Sequence, residues 1–268
     1  MIKLLNLILN ENMKIYRRIR TWILVGLVLI VEGLAFWIYN ESGGQPYDHT
    51  LWGGVLFMSN LTIAALFATI IIAADSVAGE FSGGTIKLLL IRPATRTKIL
   101  LSKYLSVFGF LLFLFVILFV TSFIVSGLMY GFGSTTELYS YMGKGNVTHH
   151  ISLASQTFRS YGFSCILIVI IISLCFMVSS VFRSSAIAIT ISIVLFFAGA
   201  IIGGIISQFK WAKYYLFSNV DLQIYLTDQI PIPGSGMTLT FSIIVLLVYF
   251  IIFNGLSWFV FKKRDVAS

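Results

Sequence analysis

Three groups of residues in this 268-residue chain have the types and spacing to do chemistry. The first is a polar segment between two apolar runs, Asp75-Ser76-Val77-Ala78-Gly79-Glu80-Phe81-Ser82-Gly83-Gly84-Thr85-Ile86-Lys87, continuing through Arg92-Pro93 to Arg96, Lys98 and Lys103. Acids come first, a glycine turn follows, and the bases come last. Asp75 and Glu80 suit the amino end of a short helix, where free N–H groups point. Gly83-Gly84 would break that helix, and Thr85 would cap the next turn. Pro93 disfavours helix at Arg92, so the next apolar run starts as a separate rod. A rigid elbow of this kind can transmit a push from a soluble partner. The competing reading is a solvated loop whose bases only set membrane orientation.

The second group is Glu32 alone, a carboxylate about ten residues, or ~15 Å of helix, past Trp22 in an apolar run. At mid-depth a carboxylate costs about 2.5–3.5 kcal/mol on insertion scales, and such groups usually face protein or water. Glu32 is either a substrate or proton site, or a protonated acid bonded to a neighbouring helix. The third group is the pair His149-His150. No Cys or carboxylate is spaced to complete a site with it, so an ordinary exposed pair and no metal are expected. The nearby Asn146-Val147-Thr148 triplet is too common to carry weight.

Several chemistries lack their residues. Gly79, Gly83 and Gly84 are not followed by the Lys-Ser/Thr of a phosphate-cradling loop, and neither His-Glu-x-x-His nor Gly-x-Ser-x-Gly occurs. No catalytic residues and no cofactor are expected in this chain. Cys165 and Cys175 share one apolar run, as buried thiols do.

The elements that must position these residues are membrane spans. Hydrophobic residues make up 58% of the chain and charged ones 10%, more apolar surface than a soluble fold of this size could hide. Six apolar runs reach the ~20 residues that cross a bilayer core: about 22–39, 51–74, 103–128, 160–182, 184–207 and 238–261. Residues 1–20 read instead as an interfacial amphipathic helix, with Lys3, Asn6, Asn10, Lys14 and Arg17 on one stripe and Ile2, Leu5, Leu9, Met13 and Tyr16 on the other. A signal peptide is the weaker reading, since no small-residue cleavage pattern closes the run at Tyr39.

The 18 Lys and Arg residues set orientation. Fourteen lie in the amino-terminal segment, the 75–102 loop and its Lys103 edge, the turn at Arg183, and the tail Lys262-Lys263-Arg264. Only Lys144, Arg159, Lys210 and Lys213 lie on the other side, so both termini and the 75–102 loop are expected in the cytoplasm. The net charge of +8 therefore serves orientation and not nucleic-acid binding. The long outer loop 129–159 is rich in Gly, Tyr and Ser. On the same side, residues 208–237 hold an aromatic stretch too short to span, then Pro231, Pro233, Gly234 and Gly236, which suits a re-entrant or interfacial hairpin. The third and sixth spans are Leu/Phe/Val-rich and suited to face lipid. Asn60 and Thr62 in the second span, and Gly199 and Gly203 in the fifth, are candidates to line a pathway or a dimer seam, with intrachain packing the alternative for the glycines.

Glu80-x-x-x-Gly84-Thr85, the apolar Leu88-Leu89-Leu90, then Pro93, Arg96 and Lys103 resemble the cytoplasmic loop of ABC transporter permeases of the type-two exporter class. The amphipathic first helix, six spans and outer re-entrant segment extend the resemblance over the chain. It implies a single all-α permease domain in the bacterial cytoplasmic membrane. It also implies a coupling role for Glu80, Gly84, Thr85, Pro93 and Arg96 against two cytosolic ATPase subunits, which would bind ATP and magnesium. A second permease half, identical or homologous, would complete the pathway. Permeases of antimicrobial-peptide export and self-immunity are the most similar, so a hydrophobic or amphipathic cargo (peptide, antibiotic or lipid-like) is expected. The alternative is an ion-gradient-driven carrier working through Glu32.

Overall fold

The structure, a computed structural model, describes residues 4–41, 49–85, 95–132, 138–142 and 148–263. A short helix α1 (Leu4–Tyr16) precedes α2 (Ile19–Glu41), α3 (Leu51–Ser59), α4 (Thr62–Ser82) and α5 (Arg96–Tyr130). A small antiparallel hairpin, β1 (Leu138–Met142) with β2 (Thr148–Ser152), follows. Then come α6 (Leu153–Val181), α7 (Ser185–Ile206), three 3-10 turns within 210–227, and α8 (Leu239–Lys263). Among the described residues six helical stretches are long and apolar enough to span a bilayer, α3 and α4 counting together as one. The protein is an all-α multi-pass membrane protein.

Helix α1 keeps Leu5, Leu9 and Met13 exposed on one stripe and buries Leu7 and Glu11 on another. An exposed apolar stripe beside a run of bases suits the bilayer interface. The spans differ in burial as well. More than half of the span window is buried in α3–α4 (56%) and α6 (67%), against 11% in α7 and 17% in α8, so the first two form the centre of the bundle. Alanines make this possible. Ala65, Ala73, Ala74 and Ala78 of α4 are fully buried, and small side chains let neighbouring backbones approach. There the Ser179 hydroxyl of α6 donates to the Ala74 carbonyl at 2.6 Å and accepts from the Ala78 N–H at 2.9 Å.

The second span is broken at Asn60-Leu61. Carbonyls freed inside a bilayer need partners, and local side chains supply them: Ser59 Oγ donates to Leu56 O, Asn60 Nδ2 to Phe57 O and Thr62 Oγ1 to Ser59 O. Thr50 caps α3 and Thr95 caps α5.

Helix ends depart from the hydropathy reading. Helix α4 runs unbroken through Asp75 and Glu80 to Ser82, α5 already starts at Arg96, and α6 starts at Leu153. The 75–102 segment is therefore partly span. Asp75 and Glu80 sit in the last turns of a long helix, not at the amino end of a short one. Hydropathy marks where side chains change character, whereas a backbone helix continues for as long as its polar side chains find partners. The long outer loop is shorter than expected and carries the hairpin. In it, His150 Nδ1 lies 2.8 Å from Ser140 Oγ, and His149 lies 3.8 Å from Asp228.

Candidate functional site

At the basic end, three elements meet in a buried ion-pair node. Glu80 of α4 accepts from Lys103 Nζ of α5 at 3.0 Å and from Lys14 Nζ of α1 at 2.6 Å. Glu11 of α1 closes the square, accepting from Lys103 at 2.7 Å and Lys14 at 2.9 Å. Two carboxylates and two ammonium groups alternate, so the buried charge sums to zero. Lys103 is 2% exposed and Glu80 8%. Burial works against the Lys14 ammonium, but Glu80 and Glu11 beside it outweigh that and hold its pKa above 10.5. Earlier on α4, Asp75 accepts from Arg18 at 2.5 Å, from Arg20, and from the Ser185 hydroxyl at the start of α7. Carboxylates near a helix's carboxy end oppose its dipole. The bases contributed by α1, the α1–α2 junction and α5 offset that.

This geometry corrects the expectation for Glu80. Its carboxylate faces inward and is fully engaged, because Thr85 Oγ1 donates to the remaining oxygen. Thr85 therefore folds back onto Glu80 and does not cap the next turn. Gly84 is exposed, with φ +68° and open space where the first carbon of a side chain would stand, so the turn after α4 needs glycine for its backbone and not for close packing. Arg96 donates to the Lys262 carbonyl at 2.8 Å, tying α5 to the end of α8. Pro93 lies outside the described residues. Gathered together, then, are Glu80 and Thr85 on the node and Gly84 beside it, with Arg96 on a separate tie.

Glu32 is buried at 6% exposure and accepts from Thr121 Oγ1 of α5 at 2.6 Å, while its Oε1 has no partner among the described residues. At the opposite end, Asn60 and Thr62 border two adjoining clefts of about 300 and 240 Å³. Gly199 and Gly203 stand apart from both clefts. They face Phe217 and Tyr215 of the chain's own outer segment, and Tyr215 OH donates to the Gly199 carbonyl at 3.2 Å. Their close approach is used within the chain, which removes these two glycines from the dimer seam.

Sequence reading missed Glu11, Arg18 and Arg20 as partners of the α4 acids, and Gln156, Ser160, Ser164 and Gln223 around the clefts. Glu11 did carry a signal: it is an acid in the otherwise basic, amphipathic first helix, three residues before Lys14. The serines and glutamines carried none, because polar residues near span ends are ordinary.

Two proteins of Bacillus subtilis (strain 168) are similar to this chain. "Uncharacterized protein YhcI" is 35% identical, the alignment covering 99% of this chain and 100% of the relative. "Uncharacterized membrane protein YdbK" is 30% identical, covering 82% and 85% respectively. The family model described as "Protein of unknown function (DUF2705)" matches residues 21–267, and the chain belongs to that family.

Proposed function

We propose that this chain is the transmembrane subunit of an ATP-driven exporter in a bacterial cytoplasmic membrane, powered by separate ATPase subunits. It would form, with a second permease half, the route for a hydrophobic or amphipathic cargo. The observation that carries this reading is the exposed turn at residues 82–85, mounted directly on the buried node that joins α1, α4 and α5. A load applied at that turn reaches three elements at once, because breaking any of these pairs leaves a buried charge uncompensated. Glu80 is then a positioning residue and the turn itself is the contact. The chain's lack of a phosphate-binding loop assigns nucleotide chemistry to the partner.

The direct experiment is purification of the tagged chain from its native membrane in mild detergent, with a nucleotide-hydrolysing companion expected to co-purify. In the Gly84→Trp variant we expect insertion to persist and ATP-dependent export to fall by about tenfold or more, since a left-handed backbone and a bulky ring disrupt the turn. Cargo movement by this chain with no such companion would overturn the reading. The Glu32 environment favours the second reading, an ion-gradient-driven carrier, since a buried carboxylate with one free oxygen is a place for a proton. Glu32→Gln with full gradient-driven transport would dispose of that alternative.

A further inference from the structure

The two clefts at the end opposite the ion-pair node share Asn60 and Gln223 and open beside the break in the second span. Their polar lining is built. Ser59 Oγ lies 2.9 Å from Ser160 Oγ, and Ser164 Oγ accepts from Thr62 Oγ1 at 3.0 Å and from Gln223 Nε2 at 2.9 Å. These bonds join α3, α4, α6 and the 3-10 turn Leu222–Thr227, so the walls are braced from four elements. Gln156 of α6 lines the larger cleft, is 5% exposed, and its Oε1 has no hydrogen-bond partner among the described residues. A buried amide oxygen left unpaired costs about 1–3 kcal/mol, which a donor on a bound molecule would recover.

No charged side chain lines the larger cleft, and Asp221, the one acid on the smaller, is engaged with the Gln223 N–H at 3.2 Å. An ion would find no counter-charge there. Leu56, Phe57, Leu153 and Leu226 supply apolar wall, while Gln156, Ser160 and Gln223 supply the polar groups. A sugar, polar all round, would strand hydroxyls against the apolar wall. An amide carrying an apolar side chain matches both walls, and the volume of about 300 Å³ is at the lower end of small-ligand sites. We propose that this cleft binds an uncharged peptide segment, with Gln156 Oε1 accepting from a backbone N–H of the ligand. The proposal deepens the export reading by naming the cargo chemistry at the outer end, and it rests on that reading only for the direction of travel.

The test uses the full chain in nanodiscs, without nucleotide or ATPase. Cys165 and Cys175 are replaced by Ala, and Thr227→Cys on the cleft wall reports access through its rate of maleimide labelling. N-acetyl-leucinamide is the probe and methyl glucoside the control. Saturable slowing of labelling by about fivefold is expected with the amide and none with the glucoside. Gln156→Leu should raise the amide's midpoint by about tenfold, the loss of one hydrogen bond to a buried group. Asn60→Cys serves as a second reporter, because Asn60 is already exposed. Labelling of either reporter that the amide does not slow would mean a cleft holding water only, and would overturn the proposal. Equal protection by the glucoside, an unchanged midpoint in Gln156→Leu, or no labelling of either reporter would also overturn it. Loss of ATPase co-purification would sink the export reading and leave this result standing.

Discussion

Lys103 is the most deeply buried cation of the described residues' ion pairs, and its removal isolates the effect of charge. In Lys103→Met, Glu11 and Glu80 would share only Lys14, leaving one uncompensated buried negative charge. Breaking a buried pair this way costs about 3–5 kcal/mol. We expect a loss of that order in unfolding experiments on the purified protein, much of it regained in Lys103→Met/Glu11→Gln, which restores neutrality. Equal losses in single and double variants would mean that packing, not charge, holds the node. Lys14 adds a pH signature. Its pKa is raised on folding, so its contribution is complete below 10.5 and lost as pH climbs through the raised value. Stability should therefore fall on the alkaline side, and Lys14→Met should flatten that fall. Glu80→Lys would place three cations around Glu11 and damage the fold itself, so it does not isolate coupling. Glu80 stood out in the sequence as an acid before a glycine turn, but its partner Lys14 is 66 residues away, and Lys103 meets Glu11 across 92. Nothing local encodes such pairs.

At the level of elements, the spans were legible because 20-residue apolar runs have few alternatives in water or lipid. Their ends were not. Helix α4 continues to Ser82 because Asp75 and Glu80 are met by bases from other elements, and the break at Asn60 is visible only through the hydroxyl and amide groups that satisfy the freed carbonyls. The small-residue pattern of α7 was legible as a close-packing signal, but its partner was not. That partner is the aromatic outer segment, since a first side-chain carbon on Gly199 would run into the Phe217 ring. Overpacking of this kind costs about 1–3 kcal/mol. Gly199→Ala should therefore destabilise the protein by that amount, and by almost nothing in a Phe217→Ala background. An equal cost in both backgrounds would show that α7 meets something else at this position.

For the whole molecule, the two ends differ in kind. One carries ion pairs buried under an interfacial helix, and the other carries hydroxyl and amide groups around open clefts. That asymmetry matches the bias of fourteen cations against four in the sequence, and placing the fourteen in the cytoplasm puts the node inward and the clefts outward. The export reading and the cleft's access both require that orientation, so it is worth measuring alone. Ser82→Cys and Lys213→Cys sit at exposed or half-exposed positions at the two ends. Background should be low, because Cys175 is fully buried and Cys165 partly so. A membrane-impermeant maleimide should label Lys213→Cys on intact cells and Ser82→Cys only after lysis. The opposite result would turn the glycine turn to the outside, where no cytosolic ATPase could push on it. Labelling of both on intact cells would contradict the crossings themselves, since α5, α6 and α7 lie between the two positions and an odd number of spans must leave them on opposite sides of the membrane.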